Sequence, residues 1–161
     1  MVKHLFSKIK TSGSRGGSEV DIIVGVNKGG LMTATLLTRC CFQQDTPVLG
    51  LFADRDSDEP NYTSSKVAFS NLQVIGALKK AMKHKDNYRI LLVDSISRDD
   101  KAMVNAYAYL EQGLRNKKTS VVIKTAQLIR DRKNGVKTDY CLEVMNTANV
   151  VFPYQRITDE P

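Results

Sequence analysis

Apolar and polar positions along the chain form blocks that predict strands alternating with helices. Short apolar runs, most of them rich in β-branched residues and bounded by glycine or polar residues, are typical of buried strands. They occupy residues 20–26, 46–53, 89–94, 121–129, 140–144 and 150–152. Each run is short enough for one strand and too short for a buried helix of ordinary length.

Between these runs, apolar residues recur every three or four positions, which predicts helices with one buried face. The predicted helices cover residues 29–41, 70–82 and 103–114. The second of them begins with Ser70 and Gln73 in the form of a capping box. Residues 11–18 and 54–66 are polar and predict loops. Strands alternating with helices predict an α/β fold with a mostly parallel sheet.

The composition is that of a globular protein with an excess of basic residues. The 161 residues include 24 Lys and Arg against 17 Asp and Glu, which gives a net charge of +7. This length suggests a single domain, residues 1–161. No apolar run approaches the roughly 18 residues that a membrane helix needs, and the amino terminus lacks the apolar core of a signal peptide. We therefore expect a soluble, cytoplasmic protein with no membrane partner.

The positive charge favours a polyanionic partner, either a phosphorylated metabolite or a nucleic acid. Nucleic acid is the less favoured partner, because aromatic residues do not interleave the basic clusters. Those clusters lie at 79–85, 115–118 and 130–133. The cysteines, Cys40, Cys41 and Cys141, have neither the spacing of metal ligands nor the pattern of a disulfide framework. We expect buried structural thiols.

The first segment with candidate chemistry runs from Val24 to Leu31, where a predicted strand enters a tight turn and a helix begins. Glycine lets backbone N–H groups approach an anion closely, a helix N-terminus favours negative charge, and Lys28 adds a positive charge. Lys28, Gly29 and Gly30 therefore form a candidate phosphate or pyrophosphate site. A turn between a strand and a helix favours glycine in any case, so both interpretations stand equally on this segment alone.

The second segment, residues 89–102, is a hydrophobic strand that ends at Asp94 and leads through a short polar loop into a helix. A carboxylate at the end of a strand suits the hydroxyl groups of a sugar or a Mg²⁺ ion. The alternative is that Asp94 or Ser97 caps the following helix. On the local sequence alone, helix capping is the preferred interpretation.

Together, four blocks resemble the type I phosphoribosyltransferases, nearest to the bacterial xanthine and 6-oxopurine enzymes. The blocks are residues 24–31, 90–102, 137–140 and 150–155, and the resemblance spans a core of about 18–157. It implies a mostly parallel sheet flanked by helices with a small hood. It also implies transfer of a phosphoribosyl group from phosphoribosyl pyrophosphate to a purine-type base, with Mg²⁺, in a homo-oligomer. Residues 54–66 correspond to the loop that covers the active site.

The resemblance assigns a role to each matching position. Lys28, Gly29 and Gly30 correspond to the pyrophosphate loop, and Asp94 would hold the ribose and the metal. The implied ribose and 5′-phosphate set is Asp94, Ser95, Ser97, Arg98, Asp99, Asp100, Lys101 and Ala102. The implied base-binding set is Arg130, Asn149 and Val150, with Lys124 and Lys133 as alternatives to Arg130 if the register shifts.

Several positions depart from the pattern of the family. Ser95 replaces its second acid, and Arg98 stands where it has the carboxylate that exchanges a proton with the purine, so the catalytic base is unknown. Asp99 and Asp100 replace a Thr-Gly pair, and Asn149 replaces an aromatic residue that stacks on the base. Carboxylates repel a phosphate, and a non-glycine residue at position 100 disfavours a positive φ.

These departures leave two further hypotheses open beside an ordinary transferase. In one, the chain is a catalytically lapsed member that binds a nucleotide, a nucleic acid or a protein partner as a regulator. In the other, it is a transferase for an unusual base, in which Arg98 recognises an acidic substrate.

Overall fold

A computed structural model describes most of the chain as helices and strands. The described residues are 2–11, 20–42, 46–53, 65–82, 86–97, 100–115, 119–131 and 138–145. In chain order the elements are α1 (Val2–Thr11), β1 (Ile22–Val26), α2 (Asn27–Cys41), β2 (Val48–Leu51), α3 (Ser65–Ala81), β3 (Asn87–Ser97), α4 (Lys101–Leu114), β4 (Ser120–Asp131) and β5 (Tyr140–Met145).

The described strands form one parallel sheet in the order β2-β1-β3-β4-β5. The mostly parallel sheet flanked by helices is therefore confirmed, while the small hood stays a prediction. The order reverses direction between β1 and β3, because the chain runs outward to β2 and then returns to the other side of β1. In open α/β sheets, ligands bind at the carboxyl ends of the strands at such a reversal. The fold thus directs attention to the ends of β1 and β3.

Each face of the sheet is covered by a different pair of helices. Leu78 of α3 and Leu110 of α4 pack with Leu92 of β3 in one apolar cluster, whereas Leu37 of α2 packs with Leu91 in the other. Neighbouring residues of β3 enter opposite clusters because successive side chains of a strand point to opposite faces. A fully buried leucine contributes about 1.5–3 kcal/mol to folding, so these contacts fix the register of the central strand.

Three elements differ from the sequence-based prediction. The described chain includes α1, which was not predicted, and its Leu5 and Ile9 are fully buried against α2 and the sheet. Strand β3 continues to Ser97, so Asp94 lies within the strand and not at its end. Helix α3 begins at Ser65, which places Ser70 inside it. The capping-box prediction was wrong because Ser-x-x-Gln is also compatible with a helix interior.

The predicted burial of the cysteines is wrong for Cys40, which is exposed. It shares the outer face of α2 with the exposed residues Met32 and Leu36, which precede it at intervals of four positions. Cys141 is half-buried, and this burial raises the pKa of its thiol, although the charges of Arg130 and Lys8 oppose the shift. None of the described helices is both long and apolar enough to span a membrane. The strand predicted at 150–152 lies outside the described residues.

Candidate anion site at the carboxyl ends of β1 and β3

The first part of the site is the direct junction between β1 and α2. The strand ends at Val26 and the helix begins at Asn27, whose φ is 56°. Asparagine is one of the few non-glycine residues that tolerate this left-handed conformation. Its side-chain amide pairs with the backbone of Ala53, donating to the carbonyl oxygen at 3.1 Å and accepting from the N–H at 3.0 Å. This contact ties the junction to the end of β2.

Gly30 lets the first turn of α2 lie directly on β3. A Cβ atom at Gly30 would lie 2.3 Å from the carbonyl oxygen of Val93 and 3.2 Å from Cα of Asp94. Close packing therefore requires glycine at position 30. From the sequence alone, this packing requirement could not be distinguished from a role in anion binding. Gly29 is half-buried, and its carbonyl oxygen accepts a hydrogen bond from the Thr33 hydroxyl at 3.0 Å. The packing brings the predicted pyrophosphate turn next to Asp94.

The second part of the site is the start of α4. Asp100 occupies the N-cap position with a φ of 55° and makes no capping hydrogen bond with its side chain. Asp100 adopts this positive φ although it is not glycine, and aspartate is among the non-glycine residues that adopt it most often. Neither Asp94 nor Ser97 occupies the N-cap position, so that preferred interpretation is wrong. The Asp100 carboxylate instead accepts a hydrogen bond from Nε2 of Gln127 at 3.1 Å.

Both helices begin in a way that leaves their N-termini suited to an anion. Neither α2 nor α4 has an acid in its first turn or a side-chain cap, and their first turns carry the exposed residues Lys28 and Lys101. The helix supplies no partners for the N–H groups of its first turn. A cation at this end interacts unfavourably with the helix dipole and costs about 0.3–1 kcal/mol of stability, whereas a bound anion interacts favourably. The arrangement suits a ligand with two anionic groups.

Asp94 lies on β3 between these two helix starts. It is 7% exposed, and its Oδ1 accepts the backbone N–H of Ser95 at 2.7 Å, while Ser95 itself is 5% exposed. Ala102, another predicted ligand residue, is buried in the cluster beneath α3 and α4. Gln127, which was not among the predicted site residues, is fully buried and is the register partner of Asp94. A glutamine within an otherwise apolar predicted strand was the available signal.

Of the residues predicted to bind the base, which are Arg130, Asn149 and Val150, the structure describes Arg130 alone. It lies near the carboxyl end of β4, where its register partner is Ser97. The alternative Lys124 is bound to Asp139, with 2.8 Å between Nζ and Oδ1. This bond raises the pKa of the Lys124 ammonium group. The predicted residues Arg98, Asp99, Asn149, Val150 and Lys133 lie outside the described residues, as does the side chain of Ser97.

The site offers one candidate carboxylate for a metal. No group of three or more His, Cys, Asp or Glu residues in the described part of the chain could hold a metal ion. Mg²⁺ in proteins is commonly bound by one or two carboxylates together with the phosphates of a substrate. Asp94, beside the first turn of α2, fits that pattern for a metal that arrives with its ligand. Binding of Mg²⁺ by Asp94 stays a prediction.

The sequence matches no protein-family profile and no curated protein. Solved structures do resemble it. The purine phosphoribosyltransferase from Pyrococcus horikoshii Ot3 has a TM-score of 0.60 at 19% identity, over 96% of this chain and 86% of that one. Xanthine-guanine-hypoxanthine phosphoribosyltransferase of Helicobacter pylori has a TM-score of 0.56 at 14% identity, over 92% of this chain and 83% of that one. A hypothetical protein from Neisseria gonorrhoeae with bound ppGpp has a TM-score of 0.57 at 17% identity, over 93% of this chain and 83% of that one.

The chain therefore has the type I phosphoribosyltransferase fold. All three likenesses extend over more than nine-tenths of its length. At this low identity they establish the fold, and the activity rests on the residues of the site.

Proposed function

We propose that the protein binds phosphoribosyl pyrophosphate with Mg²⁺ and transfers its phosphoribosyl group to a purine-type base, a reaction of nucleotide salvage. The observation that carries this proposal is the pair of uncapped helix N-termini, each with a lysine, at the ends of the adjacent strands β1 and β3. The names of two similar structures, a purine and a xanthine-guanine-hypoxanthine phosphoribosyltransferase, support the substrate class.

The proposed ligand distributes its groups along the site. Lys28 and the N–H groups of Gly29 and Gly30 bind the pyrophosphate, Asp94 binds the ribose, and the start of α4 binds the 5′-phosphate. Arg130 faces the base. Transfer forms a bond between the anomeric carbon and a base nitrogen and breaks the bond to pyrophosphate, while that nitrogen releases its proton to solvent. Mg²⁺, which Asp94 would help to hold, would neutralise charge on the departing pyrophosphate.

A nucleotide-binding regulator without turnover is the second candidate function. It is favoured by the burial of Asp94 and by the hydrogen bond that its carboxylate accepts from the Ser95 N–H. An active enzyme would need the same carboxylate to bind the ribose. Asp100 also places negative charge beneath the α4 end of the site. In addition, Arg98 cannot accept a proton from a base at neutral pH. The likeness to the structure with bound ppGpp supports a nucleotide ligand.

Calorimetric titration with phosphoribosyl pyrophosphate and Mg²⁺ tests whether the protein binds this ligand. A transferase requires this binding, and a nucleotide-binding regulator with the same phosphate contacts could also show it. We expect a micromolar Kd in the wild type and a Kd about tenfold higher or more in Lys28→Ala, since a charged hydrogen bond contributes about 1.5–3 kcal/mol. Lys79→Ala is the matched control, because Lys79 is exposed in the last turn of α3. Absence of heat from folded protein at two temperatures contradicts the transferase proposal.

A turnover assay with a panel of purine-type bases separates the two functions. The informative variant replaces Asp99 with Thr and Asp100 with Gly, which removes both carboxylates from the loop. Turnover in the wild type supports the transferase. Turnover that arises in the variant alone indicates that the natural chain binds its ligand without transferring it.

We also propose that the protein is a cytoplasmic homo-oligomer whose ligands are small and phosphorylated. Of the basic clusters, Lys79 and Lys80 are exposed at the carboxyl end of α3, where cations complement the helix dipole without a nucleic acid. Light scattering of the purified chain measures its oligomeric state, and a mass equal to the 18.0 kDa monomer contradicts the oligomer.

A further inference from the structure

A buried polar pair lies at the start of α4. Nε2 of Gln127 donates to Oδ1 of Asp100 at 3.1 Å, and both residues are almost completely excluded from solvent. Gln127 is also the register partner of Asp94, and register partners in a sheet carry their side chains on the same face. Gln127 is therefore a neighbour both of the proposed ribose ligand and of the residue that starts α4.

The conformation of Asp100 explains why this partner matters. Its φ of 55° lies in the left-handed region, where side chains other than those of Asn and Asp are rare. An aspartate before a helix usually turns its carboxylate onto the N–H groups of the first turn, but Asp100 makes no such bond. The Asp100 carboxylate accepts the hydrogen bond from Gln127 and does not cap those N–H groups.

We propose that Gln127 is a positioning residue, whose amide holds the Asp100 carboxylate beneath the turn so that the N-terminus of α4 faces the 5′-phosphate of the ligand. Gln127 itself does not contact the ligand. The identity of that ligand rests on the proposed function, whereas the conformation of the turn does not.

A double-mutant cycle tests the proposal. Gln127→Leu removes the donor with little change in side-chain size. We expect the Kd for phosphoribosyl pyrophosphate with Mg²⁺ to rise about tenfold, because the released carboxylate can turn onto the N–H groups of α4 and compete with the phosphate for them. In an Asp100→Gly background, the same substitution should change the Kd by less than about twofold. Glycine adopts a positive φ without a side-chain partner, so Gln127 has nothing to hold there.

Amide hydrogen exchange gives a measurement without ligand. The N–H of Val104 donates to the carbonyl oxygen of Asp100 at 2.9 Å and reports the first turn of α4. The N–H of Ser120 donates to the Asp86 carbonyl oxygen at 2.8 Å and reports the opposite end of β4. Gln127→Leu should accelerate exchange at Val104 about tenfold more than at Ser120, since exchange follows local opening. The Asp100→Gly background should remove this difference.

Thr125→Val is the matched control on the same strand. It removes hydrogen bonds between Thr125 and Asp139 and should leave the Kd within about twofold of the wild type. Equal effects of Gln127→Leu in both backgrounds, or equal acceleration at Val104 and Ser120, would show a general structural role and overturn the proposal. If the wild type binds no phosphoribosyl pyrophosphate, the proposed function fails, and the exchange ratio still decides the role of Gln127.

Discussion

Two aspartates are bound by side chains of β4, and their surroundings differ. Asp139, exposed before β5, accepts hydrogen bonds at 2.8 Å from Lys124 Nζ and from the Thr125 N–H, and at 3.0 Å from the Thr125 hydroxyl. Asp100, buried before α4, accepts from Gln127 at 3.1 Å and has a left-handed backbone. The first aspartate joins two strands, whereas the second lies at a helix start that it does not cap.

The difference separates a region whose contacts stabilise the fold from the region that we propose to bind a ligand. Burial alone would raise the pKa of Asp139, but the hydrogen bonds from Lys124 and Thr125 outweigh it and lower the pKa. Its charged form is thus stabilised by the fold. At the ends of β1 and β3, by contrast, the chain keeps two left-handed non-glycine residues and two uncapped helices with lysines in their first turns. Such costly features cluster at functional sites.

The largest effect is expected at Gly30, where the start of α2 packs closely on β3. Gly30→Ala places a Cβ atom 2.3 Å from the Val93 carbonyl oxygen, so the free energy of unfolding should fall by about 3 kcal/mol. Gly76→Ala is the control, because no atom lies within 4 Å of its Cβ position on α3 and it should stabilise the helix by about 1 kcal/mol. Urea unfolding measures both. Equal effects of the two substitutions would contradict the packing role of Gly30.

A smaller loss is expected in the region whose contacts stabilise the fold. Asp139→Asn should lower the free energy of unfolding by about 1 kcal/mol at pH 7, because it removes the ion pair with Lys124 and weakens the bonds from Thr125. The Kd for phosphoribosyl pyrophosphate should not change. A change in Kd without a change in stability would reverse the assignment of the two regions.

The pH dependence of that loss follows from the two pKa shifts. The folded pKa of Asp139 is below its ordinary value of 3.8, so its contribution is complete above that value and disappears as the pH falls through the folded pKa. The pKa of Lys124 is above 10.5, so its contribution is complete below that value and disappears as the pH rises through the folded pKa. The stability difference between wild type and Asp139→Asn should therefore be constant near neutral pH and shrink at both extremes. A maximum of the difference in acid would contradict this.

The smallest effect has the opposite sign. Lys28→Ala should raise the free energy of unfolding of the ligand-free protein by about 0.5 kcal/mol, because it removes a cation from a helix N-terminus. Lys79→Ala, at a helix C-terminus, should lower it by a similar amount. Thermal unfolding at low salt compares the two variants. A lower free energy of unfolding in Lys28→Ala would show that Lys28 stabilises the folded protein, which would contradict this prediction.

The sheet could be predicted from the sequence because buried parallel strands are continuous apolar runs, as at 20–26 and 89–94. Helix α1 could not, because among its described side chains the buried residues Leu5 and Ile9 are interspersed with basic ones. The junction of β1 and α2, which carries Lys28 and the glycines after it, could be predicted because a strand end and a helix start are local in sequence. The pair of Asp100 and Gln127 could not, since it joins residues 27 positions apart.

The left-handed turn at Asp100 also bears on how this chain can evolve. Codons for aspartate and glycine differ at a single base, and the backbone at position 100 accepts both residues. The buried carboxylate can therefore be gained or lost in one mutational step while the sheet and helices stay in place. Gly30 has no such freedom, because any side chain there meets the backbone of β3. Selection can thus adjust the α4 end of the site repeatedly, whereas the α2 end is fixed by the fold.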